Sequence, residues 1–229
     1  MNTRLIVDST NQLQELNEPG YSEKRAVRLV AKVISYIFHP IFIPVYILLF
    51  LLYIHPGVFA GFSGWKKSLV LVQAIAMYEF FPLVTVLLLK ALKFIDSIYL
   101  VTRKDRIIPY IACNLWYFWI WYVWKNQADY PDEVITLALA IFISSVIGQL
   151  ANIYMKISMH AIAMGVMAGF MMLMALTQSV SFGLYISVSL FIAGLVCSAR
   201  FIVSDHSPKE VYAGLFAGIF ALVISIWVN

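Results

Sequence analysis

Apolar runs long enough to cross a lipid bilayer recur along this chain, and that recurrence limits its fold more than any other feature. A helix of about twenty apolar residues matches the hydrocarbon thickness of a bilayer, where only helices and closed barrels satisfy their own backbone polar groups. Seven such stretches can be drawn: 33–54, 68–92, 108–124, 133–154, 159–177, 179–199 and 209–228. Of the 229 residues, 62% are hydrophobic and 12% charged, about half the charge of a soluble domain. The expected fold is therefore all-α: a polytopic transmembrane helix bundle of six to seven spans, forming one domain over 22–229. Pro40 and Pro44 make 33–54 the stretch expected to kink or re-enter.

Residues 1–21 form a polar lead closed by Pro19-Gly20, expected to be flexible. Beyond it Glu23, Lys24, Arg25, Arg28 and Lys32 interleave with Val27, Leu29, Val30 and Val33. This pattern suits an amphipathic helix on the membrane surface, or equally a basic flank to the first span. No short apolar core with a small-residue cleavage site precedes it, so the first apolar run is expected to stay in the membrane. The net charge of +4 is spread without a coherent basic face, which argues against a nucleic-acid partner. Cys113 and Cys197 lie inside apolar runs without CxxC spacing and read as packing residues. Trp116, Tyr117, Trp119, Trp121, Tyr122 and Trp124 read as an interfacial aromatic belt. Ala161, Gly165 and Gly169 in the fifth stretch, and Ala213, Ala217 and Ala221 beside Gly214 and Gly218 in the seventh, form small-residue ridges. Such ridges predict close packing of those two helices.

Three polar clusters interrupt the apolar runs. They are Arg103-Lys104-Asp105-Arg106 before the third stretch, Lys156-Ile157-Ser158-Met159-His160 at the start of the fifth, and Arg200, His206 and Glu210 around the start of the seventh. Two spans separate each cluster from the next, so an even number of crossings delivers all three to one face of the membrane. The chemistry of the set suits a phosphate ester. Arginines offer planar, permanently charged forks to phosphate oxygens, and helix N-termini add backbone N–H groups. Two histidines can divide the work between nucleophile and acid. The clusters lack the several carboxylates a magnesium or two-metal site needs, so chemistry without metal or other cofactor is expected.

The third cluster reads Arg, five residues, His, three residues, acid, and so resembles the third signature motif of the type-2 phosphatidic acid phosphatase superfamily, which includes the vanadium haloperoxidases. Ser158 and His160 resemble the Ser and His of its second motif. Glu210 stands where the family usually has Asp, Ala199 where it has Ser, Ile157 and Met159 where it has Pro and Gly. The first cluster departs further: Arg106 precedes Pro109 by three positions, and no Lys lies seven before Arg106. The resemblance covers 103–214. It implies a nucleophilic role for His206, an orienting role for Glu210 and an acid role for His160. Arg103, Arg106, Ser158 and Arg200, with Lys104 and Lys156 as helpers, are the implied phosphate ligands.

Taken singly, each residue has a structural reading. Ser207-Pro208-Lys209-Glu210 is a capping box. Arg200 suits a snorkelling helix end, His160 an interface, and His39 and His55 structural positions near prolines. Taken together they predict a metal-independent phosphatase acting on a membrane lipid phosphate or diphosphate. A lipid phosphotransferase using the same histidine and a non-catalytic lipid-binding or transport protein with a degenerate anion site are the alternatives. The expected setting is multi-pass, in the inner (cytoplasmic) membrane of a bacterium. All sixteen Lys and Arg except Lys66, Lys67 and Lys125 fall on the cluster-bearing face. By the positive-inside rule that face is cytoplasmic, whereas membrane phosphatases of this resemblance mostly work outside.

Overall fold

Five of the described helices are long and apolar enough to cross a membrane: Gly64–Ala91, Asp132–Tyr154, Met159–Thr177, Gly183–Val203 and Pro208–Val228. They belong to a computed structural model that describes residues 3–7, 13–17, 25–95, 97–98, 103–178, 181–203 and 206–229. The described chain is an all-α bundle. In the polar lead, β1 (Thr3–Val7) pairs antiparallel with β2 (Leu13–Asn17), with Leu5 opposite Glu15.

The helices are α1 (Arg25–Ile37), α2 (Ile43–Leu49), α3 (Gly64–Ala74), α4 (Phe81–Ala91), α5 (Arg103–Lys125), α6 (Asp132–Tyr154), α7 (Met159–Thr177), α8 (Gly183–Val203) and α9 (Pro208–Val228). The stretch 33–54 is not one spanning helix. Pro40 lacks the N–H that would continue the helix, and it disfavours helical backbone at His39 before it. The chain therefore leaves α1 at an elbow over 38–42 and restarts as α2, which runs on through a π-helical turn, Phe50–Ile54. Tyr46 Oη donates to the Ile37 carbonyl across this elbow at 3.0 Å. α1 packs against α8 and buries Ala31 and Ser35, one turn apart, with Ile34 half-buried against the core, while its cationic residues and Val27, Leu29, Val30 and Val33 face outward.

Pro82 has the same effect in milder form. It cannot donate one turn back, and the helix widens into a π-helical segment, Ile75–Phe80, without breaking between α3 and α4. Glu79 lies in that segment. α5 has the length of a span but opens on a charged turn. Its rings do not form a simple belt: Trp119 and Tyr122 face outward, whereas Trp124 is buried and Trp116 stacks on Phe81. Asn114 donates to Gln149 at 2.6 Å, joining α5 to α6 as an interhelical polar pair.

The most extensive helix contact is α7 against α9. Small residues make it possible, but on α9 the face is Gly214 and Gly218 with Ala221, not Ala213 and Ala217. A Cβ on Gly218 would lie 2.1 Å from the Ile162 carbonyl oxygen, and one on Gly165 would lie 2.1 Å from that of Leu215.

The two ends of the bundle differ. At one end Trp124 Nε1 and Tyr130 Oη both donate to Gln73 Oε1, at 2.9 and 3.0 Å, and the two rings stack. Phe59 and Tyr130 are buried there, and Lys66 pairs with Asp129. His55 Nδ1 accepts from the N–H groups of Gly57 and Val58, so this histidine shapes the turn after α2. The opposite end gathers the starts of α5, α7 and α9 and the ends of α1, α6 and α8.

Candidate active site

Ser207 precedes Pro208, whose fixed φ suits the first position of a helix, and so caps α9. The capping box is complete: Glu210 N–H donates to Ser207 Oγ at 3.4 Å, and Ser207 N–H donates to Glu210 Oε2 at 2.8 Å. The same Oε2 accepts a second hydrogen bond, from His206 Nδ1 at 3.3 Å. Cap and orienter are thus roles of one oxygen, and both are filled together. With its Nδ1–H on a carboxylate, the neutral His206 ring carries its lone pair on Nε2. Its side chain is only 4% exposed, so any partner of that lone pair must enter the protein.

The start of α7 is joined to this unit by backbone. Ser158, fully buried, donates its N–H to the Glu210 carbonyl at 3.3 Å, and its Oγ caps α7 by accepting from Ala161 N–H at 3.5 Å. Capping uses a lone pair of that hydroxyl and not its hydrogen. Gly214 keeps the two helix starts close, since a Cβ there would lie 2.7 Å from the Ser158 carbonyl oxygen. Two positive helix ends therefore lie side by side.

Arg106, in the first turn of α5, is 8% exposed and donates from Nη1 to the Ile157 carbonyl at 3.2 Å. That bond ties the first cluster to the second. Arg200, in the last turn of α8, is half-buried and lies within electrostatic range of Arg106, His160 and His206. Arg106 and Arg200 act on each other electrostatically, so an anion placed between them would be held by both charges. Burial is the main force holding the His206 imidazole below its ordinary value of 6.5; the hydrogen bond to Glu210 opposes it, and the charges of Arg200 and Arg106 add to it. The ring is consequently neutral near pH 7, the form in which Nε2 is a nucleophile.

His160 lies in the first turn of α7, where its Nε2–H donates to the Ser35 carbonyl of α1 at 3.0 Å. His39, from the elbow, meets the His160 ring edge-on, with centroids 5.4 Å apart and planes at 82°. Reading the sequence placed His39 among structural residues, since it belongs to no motif and lies well over a hundred positions from His160. The pairing of an amphipathic helix with a His-Pro step at its end was the one local signal.

Lys156 sits half-exposed in the turn between α6 and α7 and joins no ion pair among the described residues. Arg103 and Lys104 open α5, but their side chains lie outside the described residues. The structure thus brings Arg106, Ser158, His160, Arg200, His206 and Glu210 to one end of the bundle.

An apolar cavity of about 540 Å³, including its open mouth, begins beside them. Pro40, Tyr110 and Met159 line its near part, next to His39, one turn from Arg106 and next to His160; Ile47, Tyr117 and Val166 line it farther along. The same end of the bundle thus offers cationic side chains with a neutral imidazole, and an apolar cavity between α2, α5, α6 and α7 is lined by sequence neighbours of His39 and His160. Comparison with family models, with curated proteins and with solved structures returned no match.

Proposed function

We propose that this protein is a metal-independent phosphatase of membrane lipid phosphates or diphosphates, working like the type-2 phosphatidic acid phosphatases that its motifs resemble. The observation that carries this reading is His206: a nearly covered imidazole, fixed through Nδ1 by Glu210 and flanked by Arg106 and Arg200. Such a group binds a phosphoryl dianion and attacks it. The adjoining apolar cavity supports a lipid rather than a soluble substrate, since an acyl or isoprenoid chain gains about 0.8 kcal/mol for each CH₂ kept from water.

In this reading His206 Nε2 attacks phosphorus, the bond from phosphorus to the lipid oxygen breaks, and His160 supplies the proton that oxygen takes up. Arg106, Arg200 and Ser158 hold the equatorial oxygens, whose charge they stabilise most in the transition state. Arg103, Lys104 and Lys156 are placed by sequence at its margin. Water then attacks the phosphohistidine, returning a proton to the site and releasing inorganic phosphate. The site end also carries most of the cationic residues, which by the positive-inside rule supports a cytoplasmic site, against the outer-side placement common among the phosphatases the motifs resemble.

The test is phosphate release by purified protein in detergent with a chelator present, across polyprenyl diphosphate, phosphatidic acid, phosphatidylglycerol phosphate and lipid A. Release is expected from at least one of them and is abolished in His206→Ala. Full activity in that variant would overturn the assignment.

A further inference from the structure

The end of α1 and the elbow after it lie outside every motif the sequence offers, yet together they supply two contacts to His160. An imidazole has two nitrogens, and the Ser35 carbonyl occupies one of them, Nε2, through its hydrogen. Proton transfer at the site is therefore left to Nδ1. The His39 ring stands perpendicular to that of His160, in edge contact with it. His39 is itself fixed: its Nδ1 accepts from Ile41 N–H at 3.4 Å, and Pro40 restricts its backbone. The elbow is held in turn by the bond from Tyr46 to Ile37. The groups facing His160 are then Ser35 from α1, His39 from the elbow, Arg200 from α8 and His206 from the approach to α9.

We propose that His39 is a positioning residue of this site: with the Ser35 carbonyl it holds His160 so that Nδ1, not Nε2, delivers the proton to the leaving oxygen. The inference rests on the phosphatase reading above. The step balances as follows. His160 starts as the neutral Nε2–H tautomer bonded to Ser35, and its Nδ1 takes the proton of the entering lipid phosphate monoanion, which leaves the phosphate a dianion. As His206 Nε2 forms its bond to phosphorus and the ester bond breaks, the Nδ1 proton passes to the lipid oxygen, which leaves as an alcohol. His160 is then the neutral Nε2–H tautomer, still bonded to Ser35. The attacking water returns a proton to Nδ1 as the phosphorus–nitrogen bond breaks, and the released phosphate carries that proton away, which restores the neutral ring. One hydrogen bond persists through both protonation states, so no rearrangement accompanies the transfer.

The experiment compares His39→Ala and His39→Phe on two esters, a short-chain phosphatidic acid and p-nitrophenyl phosphate. The second has a leaving group that departs without a proton. His39→Ala is expected to lower kcat on the lipid ester by about tenfold or more, a part of what a general acid contributes, with KM unchanged. Turnover of p-nitrophenyl phosphate is expected to stay near that of the natural sequence. His39→Phe, which keeps the ring edge, is expected to retain most of the lost rate. Equal loss on both esters, or loss on neither, would overturn the proposal. A second arm needs no turnover: protein with ¹⁵N-labelled histidine rings is expected to show His160, assigned through His160→Gln, as the Nε2–H tautomer. His39→Ala is expected to mix the tautomers. If no ester is hydrolysed by the natural sequence, the phosphatase reading fails, and the labelled rings still decide on His39: an unchanged tautomer in His39→Ala overturns the positioning role.

Discussion

Ser207→Ala and Glu210→Ala remove the two halves of one capping box, and only the second also releases His206. Ser207→Ala removes the acceptor of the Glu210 N–H; Glu210→Ala removes the acceptor of the Ser207 N–H. Both groups lie at the surface end of α9, where water can replace the lost partner, so each change is expected to cost about 1 kcal/mol, the usual worth of an N-cap. In thermal unfolding in detergent that is a drop of about 2–4 °C for a chain of this size. The two variants are thus matched in stability and differ at His206 Nδ1, whose hydrogen bond spans 3.3 Å. Without the carboxylate the imidazole can adopt the tautomer that places its hydrogen on Nε2 and lacks a nucleophilic lone pair there. Glu210→Ala is expected to lose about 10²- to 10⁴-fold in kcat, the range that a positioned acid–base partner contributes, whereas Ser207→Ala keeps its turnover. Phosphate release at matched temperature below both midpoints is the assay. Equal losses in the two variants would mean that the helix start, not the ring, sets the rate, and the orienting role of Glu210 would be refuted.

Because burial holds the His206 imidazole below 6.5, its neutral form is favoured in the folded protein. The stability it contributes is present above 6.5 and is lost as pH falls through the lowered folded value. The acid limb of kcat/KM is expected to turn below pH 6.5, and a limb centred above it would contradict the burial. Gly218→Ala is expected to destabilise by about 1–3 kcal/mol or more, since its Cβ meets the Ile162 carbonyl oxygen at 2.1 Å, while Gly194→Ala meets nothing and is neutral or slightly stabilising; thermal unfolding in detergent ranks them. In a cysteine-free background, Lys66→Cys in intact cells is expected to react with an impermeant maleimide and Lys156→Cys is not, the reverse pattern placing the site outside.

The parts of the fold that follow from a single helix's own composition were legible in the sequence. α6, α7, α8 and α9 each lie within a few residues of the apolar stretches that predicted them. The meeting of the α5, α7 and α9 starts followed from counting crossings. What could not be read depends on rotation about a helix axis and on contacts between distant segments. Gly214 and Gly218 rather than Ala213 and Ala217 face α7, because a shift of one residue turns a helix by about 100° and small residues occupy both faces. Trp116 and Trp124 find acceptors in Thr85 and Gln73 on the facing span, a pairing that no local pattern announces. His39 reaches His160 from the elbow that Pro40 makes between α1 and α2, and a hydropathy window averages across that break.

The knot of Gln73, Trp124 and Tyr130 ties α3, α5 and the turn before α6 together at the end remote from His206. One amide oxygen serves two aromatic donors there, so replacing Gln73 by an apolar residue strips an indole N–H and a phenol of their acceptor at once and leaves every residue of the candidate site in place. The stability of this end of the bundle and the chemistry of the other are thereby separable by mutation.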